Sequence, residues 1–214
     1  MYFILKTRCS LLRLNMTEKN SEWDTISIVI IGRGGMGAVT ACQIIAEAAY
    51  LSENFADVQA YPTFGTERRG TPVRAYAKLS RKEKIWDRAQ IEHPNIVIVL
   101  DETVLNQEIA DSLAEGGVFI INSDKDPQFF SEKYNVPKKA KILVADINKL
   151  ALERGLVIDG APMVNTPILG LLSRSLTELS LDNIYKVVEK RMSKELAKLN
   201  IALIQEGYKL AKTL

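Results

Sequence analysis

The chain has 214 residues, of which 47% are hydrophobic and 25% charged. This composition is typical of a globular domain and excludes a disordered chain, a collagen-like repeat and a disulfide-dense miniprotein. Its 28 basic and 26 acidic residues leave a net charge of +2, too balanced to predict nucleic-acid binding. With two cysteines and one histidine, the chain alone is not expected to hold a structural zinc ion or an iron–sulfur cluster.

The N-terminal segment predicts an extension that precedes the folded domain. Its first fourteen residues are interrupted by basic side chains and lack the continuous apolar stretch of a signal peptide. No apolar run approaches the roughly 20 residues that a membrane-spanning helix needs. We therefore predict a flexible extension over residues 1–25, one α/β domain over residues 26–214, a cytoplasmic location and no membrane partner.

Apolar runs of strand length alternate with stretches of helical periodicity along the chain. The predicted strands are residues 26–31, 57–61, 73–79, 95–100, 118–122 and 142–145. The predicted helices are residues 38–50 and 102–114, a short helix within 127–134, and a helical region from 148 onward that ends in one long segment, 181–212. This alternation predicts a Rossmann-like α/β fold, with a mostly parallel sheet, helices on both faces and a helical C-terminus.

A glycine-rich turn, residues 32–37 with the sequence G-R-G-G-M-G, follows the first strand and opens the first helix. The G-x-G-x-x-G spacing lets backbone N–H groups at a helix N-terminus approach an anion closely. The alternative is that the glycines only permit close packing of the helix on the sheet. We predict contacts with a phosphate or another polar group, from a ligand or a partner chain. The predicted contact residues are Gly32, Arg33, Gly34, Gly35 and Gly37.

The second predicted strand does not support a dinucleotide site. Such a site needs an acidic residue at the end of that strand, where it binds the ribose hydroxyl groups. Here the strand ends without a carboxylate, and Asp57 stands at its beginning. NAD binding is therefore disfavoured.

A charged loop, residues 62–73, follows the second strand. Two prolines and two glycines restrict its backbone around Glu67, Arg68 and Arg69. An arginine can hold a carboxylate or a phosphate in bidentate geometry, and Glu67 can orient such an arginine. The alternative is an internal ion-pair cluster or a plain turn. Because the loop leaves the sheet at the edge where parallel sheets bind ligands, we predict that these three residues contact a cofactor or a partner.

No catalytic or metal-binding set can be assembled from the sequence. It lacks the nucleophile elbow of hydrolases and the phosphate-binding loop of P-loop NTPases. Asp101 and Glu102 follow a predicted strand, where capping of a helix by Asp101 is favoured over a catalytic role. We predict no catalytic residue and no metal ligand, and we expect the chain to take part in the chemistry of a larger assembly.

The turn and the loop together resemble the gamma subunit of the 2-oxoacid:ferredoxin oxidoreductases, the pyruvate/ketoisovalerate oxidoreductase family. The combination is G-R-G-G-x-G followed by F-G-x-E-R-R-G-x-P-V. Three further stretches agree, namely residues 94–102, 118–122 and 165–170. The resemblance runs from about Ile26 to about Leu203. The family usually carries Gln where this chain has Met36.

This resemblance implies a subunit that is inert alone. The enzyme of that family decarboxylates a 2-oxoacid such as pyruvate, yields an acyl-coenzyme A and carbon dioxide, and passes electrons to ferredoxin. The implied partners are alpha, beta and delta subunits, with ferredoxin reached through the complex. Thiamine diphosphate, coenzyme A and iron–sulfur clusters belong to that complex, and none is expected on this chain alone.

For the site, the resemblance suggests that the turn and residues 67–69 contact the coenzyme A phosphates or order residues beside the thiamine cofactor. Three alternatives stay open. The first alternative is a subunit of indolepyruvate:ferredoxin oxidoreductase, which shares the glycine turn. The second is a stand-alone nucleotide-binding or regulatory module, and the third is a purely structural adaptor.

Overall fold

The computed structural model describes residues 23–63, 69–137 and 139–214. Its first strand begins at Thr25, one residue before the predicted start of the domain. Of the predicted N-terminal extension, residues 1–22 lie outside the described part of the chain, so the extension stays a prediction.

Nine strands are present in the described residues. In chain order they are β1 (Thr25–Arg33), β2 (Asp57–Pro62), β3 (Pro72–Ser80), β4 (Ile96–Val99), β5 (Val118–Asn122), β6 (Lys141–Ala145), β7 (Val157–Ile158), β8 (Ala161–Pro162) and β9 (Lys212–Thr213). Seven of them form one sheet in the order β2-β3-β1-β4-β5-β6-β9, and β7 pairs with β8 in a separate hairpin.

The sheet is mixed, with a parallel centre. Strands β1, β4, β5 and β6 pair in parallel, whereas β3 is antiparallel to both β1 and β2, and β9 is antiparallel to β6. Five of the seven strands therefore run in one direction, which confirms a mostly parallel sheet. The charged loop joins the antiparallel pair β2–β3, and because β2 runs in the same direction as β1, the loop leaves the sheet at the carboxyl edge of the parallel strands.

Seven α-helices and one short 3-10 helix connect these strands in the described residues. They are α1 (Ala38–Leu51), the 3-10 helix (Glu102–Val104), α2 (Gln107–Ser112), α3 (Pro127–Lys133), α4 (Ile147–Glu153), α5 (Leu169–Ser175), α6 (Leu181–Arg191) and α7 (Lys194–Leu210). Each of these helices is too short or too polar to cross a bilayer.

Three predicted helical stretches are interrupted. The expected helix over residues 102–114 divides into the 3-10 helix and α2, because Leu105 is extended and Asn106 accepts the N–H of Ile109 as the cap of α2. The region after α4 contains the β7–β8 hairpin. The expected long helix over 181–212 divides into α6 and α7, because Met192 is extended and Ser193 caps α7, and the chain then ends in β9.

Side chains of the sheet alternate between two apolar layers, since successive residues of a strand point to opposite faces. In β1, Ile26, Ile28 and Ile30 pack in the larger layer, with α1 and α4–α7. Val29 and Ile31 pack in the smaller layer, with α2 and α3. Both faces of the parallel centre are therefore covered, as its continuous runs of Ile and Val predicted.

The connections place a topological switch point between β1 and β4. After β1 the chain continues to β2 and β3 on one side of the sheet, and after β4 it continues to β5 on the other side. Open α/β sheets bind ligands in the crevice at the carboxyl ends of such strands. The residues that follow these two strands are the glycine turn and Asp101.

Candidate functional site

A cleft of about 930 Å³ lies at this carboxyl edge, within the range of small-molecule sites. The glycine turn and the start of α1 form one wall, and the β7–β8 hairpin forms the opposite wall. The segment around Asn165 and the junction of α6 with α7 close the cleft between them.

The backbone of the glycine turn requires glycine at two positions. Gly35 and Gly37 have positive φ angles of 96° and 79°. A Cβ atom on Gly37 would stand 2.8 Å from Cγ of Asn165, and closer still to its amide nitrogen. That nitrogen donates to the carbonyl oxygen of Gly37 at 3.3 Å. Gly37 therefore permits close packing of the start of α1 on the segment around Asn165, a contact other than the packing of the helix on the sheet that was the alternative explanation.

The N-terminus of α1 opens toward the cleft. Gly37 stands at its N-cap position without a side-chain hydrogen bond, and the first turn holds no acidic residue. Thr40 of that turn lines the cleft. Because the first N–H groups of a helix lack partners within the helix and carry its positive end, this wall favours an anion.

Backbone hydrogen bonds join the glycine turn to the end of the charged loop. The N–H of Gly34 donates to Thr71 at 2.9 Å, and the N–H of Gly70 donates to Gly34 at 3.0 Å. The two segments predicted to act together therefore lie side by side. Glu67 and Arg68 lie outside the described residues, so their predicted contacts stay predictions.

Arg69 is the predicted loop residue that the structure places at the cleft. Its side chain is 74% exposed, and Nη2 lies 3.2 Å from Oδ2 of Asp159. Asp159 is at the tip of the β7–β8 hairpin, where Asp159 and Gly160 both have positive φ angles. The pair thus spans the mouth of the cleft, from the charged loop to the hairpin.

Arg33 does not extend freely into the cleft. Its guanidinium donates to Asp101 and Thr103, which follow β4, and to the carbonyl oxygen of Gly70. These bonds give the side chain of Arg33 three protein partners, and its direct contact with a ligand anion stays a prediction.

The two carboxylates after β4 have structural roles. Asp101 accepts the N–H of Thr103 at 2.9 Å, which confirms the predicted capping. Burial opposes ionisation of Asp101, but hydrogen bonds from Thr103 and Arg33 outweigh it and hold the pKa of Asp101 below its ordinary value. Burial likewise acts to raise the pKa of Glu102, yet bonds from Lys125 and Ser123 lower it.

Several residues that line the cleft were not predicted from the sequence. Three methionines line the cleft, Met36, Met163 and Met192, and they are the only methionines in the described part of the chain. Leu156, Ile158 and Leu196 extend the apolar surface. These residues come from segments far apart in sequence, so no local pattern marks them. Methionine is flexible and polarizable, and suits a surface that adapts to its ligand.

Among residues 23–63, 69–137 and 139–214, no three His, Cys, Asp or Glu side chains gather as a metal site would require. Asp57, at the start of β2, accepts the N–H groups of Val58 and Ile85. In a dinucleotide site, the strand that follows the first helix lies beside β1 and ends with the acid that binds the ribose. Here that strand is β2, and β3 lies between β2 and β1.

The chain matches the family model "pyruvate ferredoxin/flavodoxin oxidoreductase" over residues 27–210. It is 38% identical over 184 residues to the pyruvate/ketoisovalerate oxidoreductases common subunit gamma of Thermococcus litoralis, covering 86% of this chain and 95% of that protein. The crystal structure of pyruvate oxidoreductase subunit PORC from Thermotoga maritima superposes with a TM-score of 0.75 at 33% identity, covering 89% of this chain and 99% of that one.

A larger structure shares the fold at 19% identity and a TM-score of 0.69. It is a 2-oxoglutarate:ferredoxin oxidoreductase from Magnetococcus marinus with 2-oxoglutarate, coenzyme A and succinyl-CoA bound. The match covers 88% of this chain and 31% of that chain.

Proposed function

Since the chain belongs to the pyruvate ferredoxin/flavodoxin oxidoreductase family, we propose that it is the gamma subunit of a multi-subunit 2-oxoacid:ferredoxin oxidoreductase. In the proposed reaction a 2-oxoacid such as pyruvate loses carbon dioxide, its acyl group passes to coenzyme A, and two electrons pass to ferredoxin. The names of the curated relatives support this role, and one name describes a gamma subunit common to a pyruvate and a ketoisovalerate enzyme. We propose that the other subunits select the 2-oxoacid.

We propose that the complex works in the cytoplasm and contains alpha, beta and delta subunits, which carry thiamine diphosphate and the iron–sulfur clusters. Four cysteines hold a typical cluster, whereas this chain has two, and Cys42 is buried within α1. On this division of labour the isolated gamma subunit turns over no 2-oxoacid.

The share that we assign to this chain is a part of the coenzyme A site. Coenzyme A has phosphate groups and a pantetheine arm in which methyl and methylene groups alternate with two amides, and the thiol at the end of that arm accepts the acyl group. One cleft offers both kinds of surface, and this observation carries the proposal. Its polar rim is formed by the glycine turn, the N-terminus of α1 and Arg69, and its apolar floor is formed by the methionines.

The charges of the cleft support a site that is completed by partners. Its described lining carries two cations, Arg33 and Arg69, and two anions, Asp101 and Asp159, so these charges cancel. A ligand with several phosphate groups needs a net positive surface to bind tightly. We therefore propose that partner subunits supply further cations, and that this chain alone binds coenzyme A weakly.

The test begins with native purification of the chain and identification of the chains that accompany it. The complex is then assayed with pyruvate, 2-oxoisovalerate, 2-oxoglutarate and indolepyruvate, with ferredoxin reduction as the signal. We expect Arg69→Ala to raise the KM for coenzyme A about tenfold, the value of one charge-assisted hydrogen bond, and to leave the KM for the 2-oxoacid unchanged. The matched control is Lys139→Ala, which removes an exposed cation before β6, at the opposite edge of the sheet.

Three other results would point to the alternatives. A chain that purifies alone and binds nucleotides would be a stand-alone module. A complex in which the loop and turn variants keep wild-type kinetics would contain a structural adaptor. A complex that prefers indolepyruvate would belong to the related enzyme that shares the glycine turn.

A further inference from the structure

Arg33 joins three segments of the chain through its guanidinium group. Nε donates to Oδ2 of Asp101 at 2.8 Å, Nη2 donates to Oγ1 of Thr103 at 2.7 Å, and Nη1 donates to the carbonyl oxygen of Gly70 at 3.0 Å. Arg33 is the last residue of β1, Asp101 and Thr103 follow β4, and Gly70 lies in the charged loop, two residues before β3. The side chain therefore bridges the switch point between β1 and β4 and extends to the loop.

The acceptors after β4 are themselves held in place. Oδ1 of Asp101 accepts both the N–H of Thr103 at 2.9 Å and its hydroxyl at 2.7 Å. The Thr103 hydroxyl thus donates to Asp101 while it accepts from Arg33, which closes a ring of hydrogen bonds among the three side chains. A planar guanidinium matches such an arrangement, whereas the single ammonium group of lysine does not.

The third bond fixes the segment that carries Arg69. Gly70 accepts from Arg33 and donates its N–H to Gly34, so its backbone is tied to the turn at both of its polar groups. Arg69 consequently lies over the turn, where a Cβ atom on Gly35 would be 3.6 Å from Cγ of Arg69. Arg33 thus contacts the residue that directly follows the exposed Arg69.

We infer that Arg33 is a positioning residue, held by Asp101 and Thr103, that sets Arg69 over the glycine turn for anion binding. The inference rests on the proposed coenzyme A site and replaces a direct contact between Arg33 and the ligand. The charge of Arg33 is matched by the carboxylate of Asp101, whereas the exposed Arg69 is paired with the exposed Asp159, so a ligand anion reaches Arg69 and the helix N-terminus more readily than Arg33.

The variant Asp101→Asn distinguishes positioning from direct contact by the sign of its effect. A ligand-binding Arg33 would be released from a competing carboxylate, so coenzyme A would bind more tightly. A positioning Arg33 loses its anchor, so the KM for coenzyme A rises, by about tenfold, while kcat of the assembled complex stays within about twofold. A KM that falls, or that equals the wild-type value, overturns the inference.

Three further variants in the same complex sharpen the test. Arg33→Lys keeps the charge but lacks the planar fork, and we expect the same rise in KM. The double variant Arg33→Lys with Asp101→Asn should raise the KM for coenzyme A no further than the more severe single variant does, because both substitutions disrupt the same Arg33–Asp101 interaction. Thr103→Val removes one hydroxyl, keeps all charges and should raise KM about threefold, so it decides the question if the charged variants fail to assemble.

Arg69→Ala separates failure of this inference from failure of the proposed function. If it raises the KM for coenzyme A while Asp101→Asn and Thr103→Val do not, the site stands and the positioning role falls. If none of these variants changes that KM, the coenzyme A site itself is wrong. Lys139→Ala again serves as the control for loss of a cation.

Discussion

Gly37 and Asn165 are 128 residues apart in sequence, and the amide nitrogen of Asn165 donates to the carbonyl oxygen of Gly37 at 3.3 Å. The contact joins the start of α1 to the segment before α5, and both residues line the cleft. It explains why the last glycine of the turn must lack a side chain, since both its positive φ angle and the closeness of Asn165 exclude a Cβ atom.

We expect Gly37→Ala to lower the free energy of unfolding of the full chain by about 2–4 kcal/mol. A left-handed backbone costs an L-residue roughly 1–2 kcal/mol, and displacement of Asn165 adds the loss of a hydrogen bond. Urea unfolding measures the change. The control is Gly116→Ala, at a φ angle of 70° where a Cβ atom meets nothing within 4 Å, so it carries the backbone cost alone. Equal losses in the two variants would contradict a role for Asn165.

The ion pair across the mouth of the cleft gives a second prediction. Both side chains are mostly exposed, so the Arg69–Asp159 pair contributes little to stability, but Asp159 competes with a ligand anion for Arg69. We expect Asp159→Asn to lower the KM for coenzyme A about threefold in the assembled complex and to leave its thermal midpoint unchanged. The effect should shrink at high salt, because the charges are screened.

The control for that variant is Glu115→Gln, which removes an equal charge from the exposed Lys139–Glu115 pair before β5 and β6. It should leave the KM for coenzyme A unchanged. If both substitutions lower the KM equally, the effect is one of net charge and Asp159 has no specific role.

Acid titration of stability gives a third prediction, at Asp101. The hydrogen bonds that hold its pKa below the ordinary value stabilise the folded chain above the unfolded pKa of about 3.9, and this contribution disappears as the pH falls through the lower folded pKa. Urea unfolding should therefore give a higher free energy of unfolding for the wild-type chain than for Asp101→Asn. This difference should be constant from about pH 7 to 5 and shrink below about pH 4. An advantage independent of pH would show that the carboxylate charge does not matter.

The local features of this fold could be predicted from the sequence, because each depends on residues that are close together in the chain. The apolar run in β1, the glycine turn and α1 follow from hydrophobic periodicity and from the conformational freedom of glycine. The cleft could not be predicted from the sequence, because Ile158, Asn165 and Met192 are distant from the turn in the chain and only the tertiary structure brings them to it.

The partner of Arg33 shows the same limit. A basic residue inside a glycine-rich turn indicates an anion site, but Asp101 lies 68 residues away and becomes a neighbour only because β4 pairs with β1. The break at Ser193 was missed for a different reason. The apolar stripe of Val188, Met192 and Leu196 keeps helical spacing across the break, and serine by itself does not end a helix.

Met36 provides the last prediction, at the position where the family usually carries Gln. Its sulfur accepts the N–H of Arg33 at 3.3 Å, while its own N–H donates to Arg33 at 3.0 Å, so the side chain closes the turn. Sulfur is a weak acceptor, and an amide oxygen on a side chain of similar length is a stronger one. We expect Met36→Gln to keep or slightly raise the free energy of unfolding.

Met36→Leu is the matched comparison, because leucine has a similar volume and no acceptor. It should lower the free energy of unfolding by about 1 kcal/mol relative to Met36→Gln, the value of one hydrogen bond. Met163→Leu, an exchange of the same type in the same cleft, measures the cost of changing the side-chain shape alone. Equal stability of the Gln and Leu variants would mean that a hydrogen bond from the Arg33 N–H to the side chain at position 36 does not hold the turn.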